Sequence, residues 1–120
     1  MSLDVTLSVA RPVEVFSANV THNLNTMAQA VKLNDVLGQG RSASTLYDAL
    51  WRPDEVGITR ACQLVPLLEE GLRTLRADPD KFKAFNPANG WGNYDQFVLW
   101  VESYLNACVE NGDAEVSVSR

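Results

Sequence analysis

The chain has 120 residues, 46% of them hydrophobic and 21% charged, with fifteen acidic against ten basic side chains and a formal net charge of −5. That length suits one domain with its own core, and the composition excludes general disorder. The negative balance repels phosphate backbones and disfavours generic nucleic-acid binding. The densest basic residues, Arg60, Arg73, Arg76, Lys81 and Lys83, alternate with Glu69, Glu70, Asp78 and Asp80 as on solvated helix faces.

In chain order, Leu3, Val5, Leu7 and Val9 alternate with Asp4, Thr6 and Ser8, the period of a strand with one buried face. Ala10-Arg11-Pro12 makes a corner, and a second alternation from Val13 to near Ser17 predicts a β-hairpin. Leu24, Met27, Ala28 and Val31 then follow helical spacing, with Thr21 or Asn23 as the expected cap. Residues 38 to 45 are the flexible stretch, either a connector or a flap, with Ser42 or Ser44 capping a short helix through Leu46, Ala49 and Leu50.

Trp51-Arg52-Pro53 ends that helix, because the residue before proline resists the α region. Thr59 opens the next, with Cys62, Val65, Leu68, Leu72 and Leu75 as its stripe and a kink or break expected at Pro66. Glu69 and Arg73 are spaced to pair. Asp78-Pro79 starts a short helical turn carrying Phe82 and Phe85, and Asn93 caps a long helix with Phe97, Val98, Val101, Leu105 and Cys108. Asn111-Gly112 ends it, and the alternation from Ala114 to Ser119 predicts a third strand beside the hairpin. The order β-β, four to five helices, β predicts a single two-layer α+β domain, a small antiparallel sheet covered by helices.

No apolar run approaches the roughly 20 residues of a membrane span, and MSLDVTLSV lacks the basic flank and apolar block of a signal peptide. A cytoplasmic protein without a membrane partner is expected. Cys62 and Cys108 are then expected as buried thiols, with one disulfide as the alternative. One histidine and no CxxC or HExxH spacing leave zinc almost no ligands, so neither metal nor cofactor is expected.

Three polar clusters are candidate binding segments. Asn19, Thr21, His22 and Asn23 gather donors and acceptors at an expected helix entry, suited either to a polar or anionic ligand or to capping. Arg52 follows Trp51 at a helix end, where it forks to an anion or binds Asp54 and Glu55. Asn86, Asn89, Trp91 and Tyr94 lie in NPANGWGNY, a loop that holds a planar ligand against Trp91 or plugs the core with it. No nucleophile elbow is present, so catalysis would rest on His22 as a general base.

Three stretches, SANVTHNLNTMAQA, LYDALWRPDE with GI just after it, and FKAFNPANGWGNYDQFVLWVESYLNACVENGDAEVSVSR, together cover most of the chain. In these the sequence resembles a family of small uncharacterised bacteriophage and prophage proteins with NxTHNL, LWRP and NPxNGWG elements, with residues 32 to 45 as an added segment. The resemblance implies a phage setting, in the host cytoplasm, where small acidic proteins bind a host protein or a signalling molecule. Its motifs fall on Asn19, Thr21, His22, Asn23, Trp51, Arg52, Asn86, Asn89, Gly90, Trp91 and Gly92. The leading expectation is a non-catalytic module for a small polar, nucleotide-like ligand. A protein-interaction module anchored near Trp91 and Trp100 and an enzyme using His22 are the alternatives, and a homo-oligomer suits both binding readings.

Overall fold

The N-terminal alternation forms β1, Ser2–Val9, and β2, Val13–Thr21, in a computed structural model that describes residues 2–9, 13–33, 36–37, 41–42, 45–87, 90 and 92–119. The two strands pair antiparallel from Ser2 opposite Thr21 to Val9 opposite Val13. A register shift between Leu7 and Ser8, opposite Phe16 and Glu14, leaves one extra residue in β2. The corner at residues 10 to 12 lies outside the described residues. β5, Glu115–Ser119, pairs antiparallel with the other side of β1, so the sheet runs β2-β1-β5 with the first strand in the middle.

Strand alternation sorts this sheet into two faces. Leu3, Val5 and Leu7 are fully buried, flanked in register by Val20, Ala18 and Phe16 on one side and by Val118 and Val116 for the latter pair on the other. Asp4, Ser17, Asn19, Ser117 and Ser119 are exposed on the opposite face. One apolar face therefore lies under the helices and one polar face meets water.

β2 does not end near Ser17. Phe16, Ala18 and Val20 extend an inward row opposite Leu7, Val5 and Leu3, so pairing carries the strand to Thr21. Asn19 and Thr21 are strand residues as a result. The helix entry is a single 3-10 turn, His22–Leu24, followed by α1, Asn25–Ala30, and Val31 is already extended. A short ladder joins β3, Val36–Leu37, to β4, Arg41–Ser42; residues 38 to 40 and 43 to 44 lie outside the described residues.

α2, Leu46–Trp51, is capped by Thr45 rather than by Ser42 or Ser44. The Thr45 hydroxyl accepts the Asp48 N–H at 3.4 Å, and the Thr45 N–H donates to the Asp48 carboxylate at 3.3 Å, a reciprocal capping box. A 3-10 turn, Pro53–Val56, follows. α3, Ala61–Ala77, runs through Pro66 as one helix instead of breaking. Pro66 is exposed, and the hydrogen bond it cannot make is to the Cys62 carbonyl in the first turn, so the buried row from Leu64 to Leu75 holds the rest. Glu69 and Arg73 form no salt bridge among the described residues.

α4, Pro79–Lys83, places Phe82 in the core, and α5, Tyr94–Glu110, buries Phe97, Val101, Tyr104 and Cys108. The Asn93 side chain accepts the Gln96 N–H at 2.9 Å, the cap expected for α5. α3 packs on α5 and on α2, where a Cβ at Gly71 would lie 2.8 Å from Leu46 Cδ1. The result is the two-layer α+β fold, a three-stranded antiparallel sheet with five α-helices among the described residues.

Both cysteines are free thiols, and Cys62 is exposed rather than buried because it occupies the outer side of the first turn of α3. Burial, reinforced by the nearby Cys62, pushes the Cys108 thiol up from near 9 to about 12. In the unfolded chain this thiol ionises first, so its contribution to stability is complete below pH 9 and is lost as pH rises from about 9 to about 12. Urea unfolding across that window is expected to show a steeper alkaline decline in the parent protein than in Cys108→Ala; equal slopes would contradict the burial.

Candidate functional site

The end of β2 and the loop leading into α5 are brought together by a close backbone approach. Gly92 has φ +90°, and a Cβ built there would lie 2.7 Å from Thr21 Cγ2 and 3.1 Å from Leu24 Cγ. Only glycine allows both the angle and the distance. Beside this contact is a pocket of about 250 Å³ lined by Asn19, Val20, Thr21, Leu24, Gly92, Gln96 and Trp100. The lining combines the amide residues Asn19 and Gln96 and the hydroxyl residue Thr21 with buried Val20 and Leu24, and Trp100 is its aromatic member. Among the described residues no charged side chain is part of the lining.

Trp100 is linked to an aromatic row beneath it. Its ring lies 5.6 Å from that of Tyr104, which in turn stacks on Phe16 of β2 at 5.9 Å with 10° between planes. The indole Nε1 of Trp100 and the hydroxyl of Tyr104 are buried with no hydrogen-bond partner among the described residues. Desolvation raises the Tyr104 hydroxyl far above its ordinary pKa, so it stays protonated.

The sequence-derived candidates divide. Asn19 and Thr21 line the pocket, and the Thr21 hydroxyl also accepts the Asn23 N–H at 3.3 Å. His22, from the same segment, turns elsewhere: its ring is 6.1 Å from Trp51, and its Nε2 is buried without a partner among the described residues. Trp51, 2% exposed, stacks on Tyr47 at 5.4 Å.

Arg52 closes on its own neighbours. Its Nε donates to the Tyr47 hydroxyl at 3.4 Å and its guanidinium pairs with Glu55 at 2.8 Å. Those two bonds raise the guanidinium above its ordinary pKa, Tyr47 contributing most. The His22, Trp51, Tyr47 and Arg52 side chains thus form a chain of contacts with no member on the pocket lining.

Within the third segment, Asn86 and Tyr94 are structural. The Tyr94 N–H donates to Asn86 Oδ1 at 2.8 Å, and its hydroxyl donates to the Leu75 carbonyl at 2.6 Å. Burial raises the Tyr94 hydroxyl above its ordinary pKa. Asn89 and Trp91 lie outside the described residues. Gln96, which the sequence reading did not single out, and Trp100, expected only as an anchor for a protein partner, complete the pocket instead. Their signal was present as an amide and an indole one turn apart on a helix whose remaining stripe is apolar.

A second, shallower cleft of about 570 Å³ lies between α3 and α5, lined by Glu69, Leu72, Arg73, Arg76, Ala77 and Leu105. Arg76 is paired with Glu102 of α5, so the cleft is of mixed charge. Among the described residues no helix is long and apolar enough to cross a membrane, and no group of three His, Cys, Asp or Glu side chains is placed to hold a metal ion.

Fold and site together define an α+β domain with a small amide-lined pocket at one margin of its sheet. Compared with protein-family models, curated proteins and solved structures, the chain gives no significant match.

Two glycines before α5 separate backbone strain from close contact. Gly90 also has positive φ, +76°, but nothing lies within 4 Å of a Cβ there. Gly90→Ala is expected to cost about 1–2 kcal/mol, the left-handed penalty alone. Gly92→Ala is expected to cost clearly more in urea unfolding, since Thr21 and Leu24 must also move. Equal costs would refute the close approach.

Proposed function

We propose that the protein is a non-catalytic binding module for a small, neutral, planar polar ligand such as a nucleobase or nucleoside. The observation that carries this reading is the pocket between β2 and α5, with Asn19, Gln96 and Thr21 around an indole wall. Carboxamides offer a donor and an acceptor on one planar group, which suits the edge of a heterocycle, and an indole offers a face for stacking. The volume of about 250 Å³ admits one ring system. Among the described residues no cation lines it, which suits a neutral ligand better than a phosphate.

The phage setting, implied by the resemblance, and a cytoplasmic location belong to the same proposal. A host-protein partner is the second reading, favoured by Leu99, which is 62% exposed and next to Trp100 on α5. Catalysis by His22 gains no support from its surroundings, because the buried Nε2 faces neither a hydroxyl nor a carboxylate among the described residues.

Nucleosides titrated into isotopically labelled protein are expected to shift the side-chain amides of Asn19 and Gln96 and the indole resonance of Trp100 together. Gln96→Leu, on the solvent side of α5, is expected to weaken binding about tenfold through the loss of one buried hydrogen-bonding group. Shifts centred elsewhere, or unchanged affinity in that variant, would remove the pocket from consideration.

A further inference from the structure

The turn between α5 and β5 closes one margin of the sheet through a set of backbone bonds. The Ala61 and Cys62 N–H groups, at the start of α3, donate to the Ala114 and Gly112 carbonyls at 2.9 Å, and the Val116 N–H donates to the Thr59 carbonyl at the same distance. Arg60 forms a bridge to Glu115 beside them. Asn111 stands at the base of this junction. Its carboxamide Nδ2 donates to the Ala107 carbonyl at 3.0 Å, and its own carbonyl accepts the Ala114 N–H at 2.9 Å.

Gly112 follows it, and nothing in the fold demands glycine there. Its φ is not positive, unlike those of Gly57, Gly90 and Gly92, so it is not the left-handed residue that ends many helices. A Cβ at Gly112 would lie 3.5 Å from Cys62 Cβ and 3.9 Å from the Cys108 carbonyl oxygen, both ordinary contacts. What glycine does provide is an unshielded backbone nitrogen beside a carboxamide. No described residue accepts the Gly112 N–H.

We infer that Asn111-Gly112 is a self-modifying site, which converts to isoaspartate or aspartate when the junction opens and then keeps it from closing. The Gly112 nitrogen, on losing its proton to solvent base, bonds to Asn111 Cγ; the Cγ–Nδ2 bond breaks, and the leaving nitrogen takes up a proton to depart as ammonia. Water then opens the five-membered imide. Attack at the main-chain carbonyl routes the backbone through Cβ as isoaspartate, and attack at the side-chain carbonyl leaves aspartate.

The closed turn holds this reaction back. Asn111 has ψ 50°, whereas the imide of an L-residue closes only at negative ψ, so the bonds from Ala114 and Cys62 must break first. Each product then fits the closed turn poorly. Neither retains the Nδ2 donor to Ala107, and both set a carboxylate at the electronegative C-terminal end of α5. The Ala61 and Cys62 N–H groups cannot offset that charge, because the Ala114 and Gly112 carbonyls already occupy them. Isoaspartate also adds one backbone atom ahead of Gly112, displacing its carbonyl from Cys62. None of these residues lines the pocket, and the inference does not depend on a ligand.

Purified protein is aged in mildly alkaline buffer, folded or in guanidinium, and cleaved after glutamate, which separates Asn111-Gly112 from Asn89-Gly90 before mass and isoaspartate analysis. Conversion at Asn111 is expected in the folded protein at a rate about tenfold or more below that of the unfolded chain, because it waits on local opening. Gly112→Ala, which fits the turn, should fold with the parent's stability and suppress conversion in both states. Asn111→Asp installs one of the products. It should speed amide exchange in Glu115–Ser119 and at the start of α3 more than in the β1–β2 hairpin.

A folded protein in which Asn111 stays intact, or converts as fast as the unfolded chain, overturns the proposal. So does conversion that Gly112→Ala leaves untouched, or exchange in β5 that Asn111→Asp does not change.

Discussion

β1 is paired on both sides, and the rest of the molecule is arranged around that constraint. A strand with two hydrogen-bonded neighbours and Leu3, Val5 and Leu7 fully buried must have a helical layer above one face. α3 and α5 supply it, joined to the sheet where the Ala61 and Cys62 N–H groups donate to the Ala114 and Gly112 carbonyls at 2.9 Å. These bonds fix the start of α3 against the turn before β5. One junction thereby closes one sheet margin and sets the antiparallel helix pair in place.

Among the described residues the opposite margin has no such junction, and the pocket and an aromatic row lie there. Phe16, Tyr104 and Trp100 form a continuous aromatic row from edge strand to helix, with two buried polar atoms that have no hydrogen-bond partner among the described residues. Each such atom ordinarily costs about 1–3 kcal/mol. The row therefore relinquishes stability along the margin that also holds the pocket. His22, at the far side of the same segment, carries a further buried nitrogen beside Trp51 with no partner among the described residues.

The fold was largely legible because period and punctuation agree along most of the chain. The alternation of Leu3, Val5 and Leu7, the Asn93 cap and the alternation before Ser119 each correspond to an element with that role. Errors arose where local signals competed with pairing or packing. Thr21 caps the helix entry as expected, its hydroxyl accepting the Asn23 N–H, but the cross-strand contact from Val20 to Leu3 carries β2 beyond Ser17 up to that cap. Pro66 is a breaker in isolation, yet the packed row on α3 overrides it. For the site, the polar clusters were visible but not their surroundings: Asn19 and Thr21 belong to the pocket lining, while Arg52 is held by Tyr47 and Glu55. Spacing alone does not say which polar side chains find partners next door, and Trp100 was legible as an aromatic but not as a wall.

The central position of β1 also sets the order in which the protein can fold. The hairpin with β2 is local and closes within microseconds once both strands exist. The other flank of β1 waits for β5, about a hundred residues further along the chain. Contacts of that separation slow folding, because the chain entropy of closing the loop is lost before the contact forms. On the ribosome, β1 is therefore held with one side unpaired until Glu115–Ser119 is released. During that interval the Leu3, Val5 and Leu7 row depends on helices assembled beforehand, so the nascent chain is most exposed to aggregation or chaperone capture just before synthesis of this domain ends.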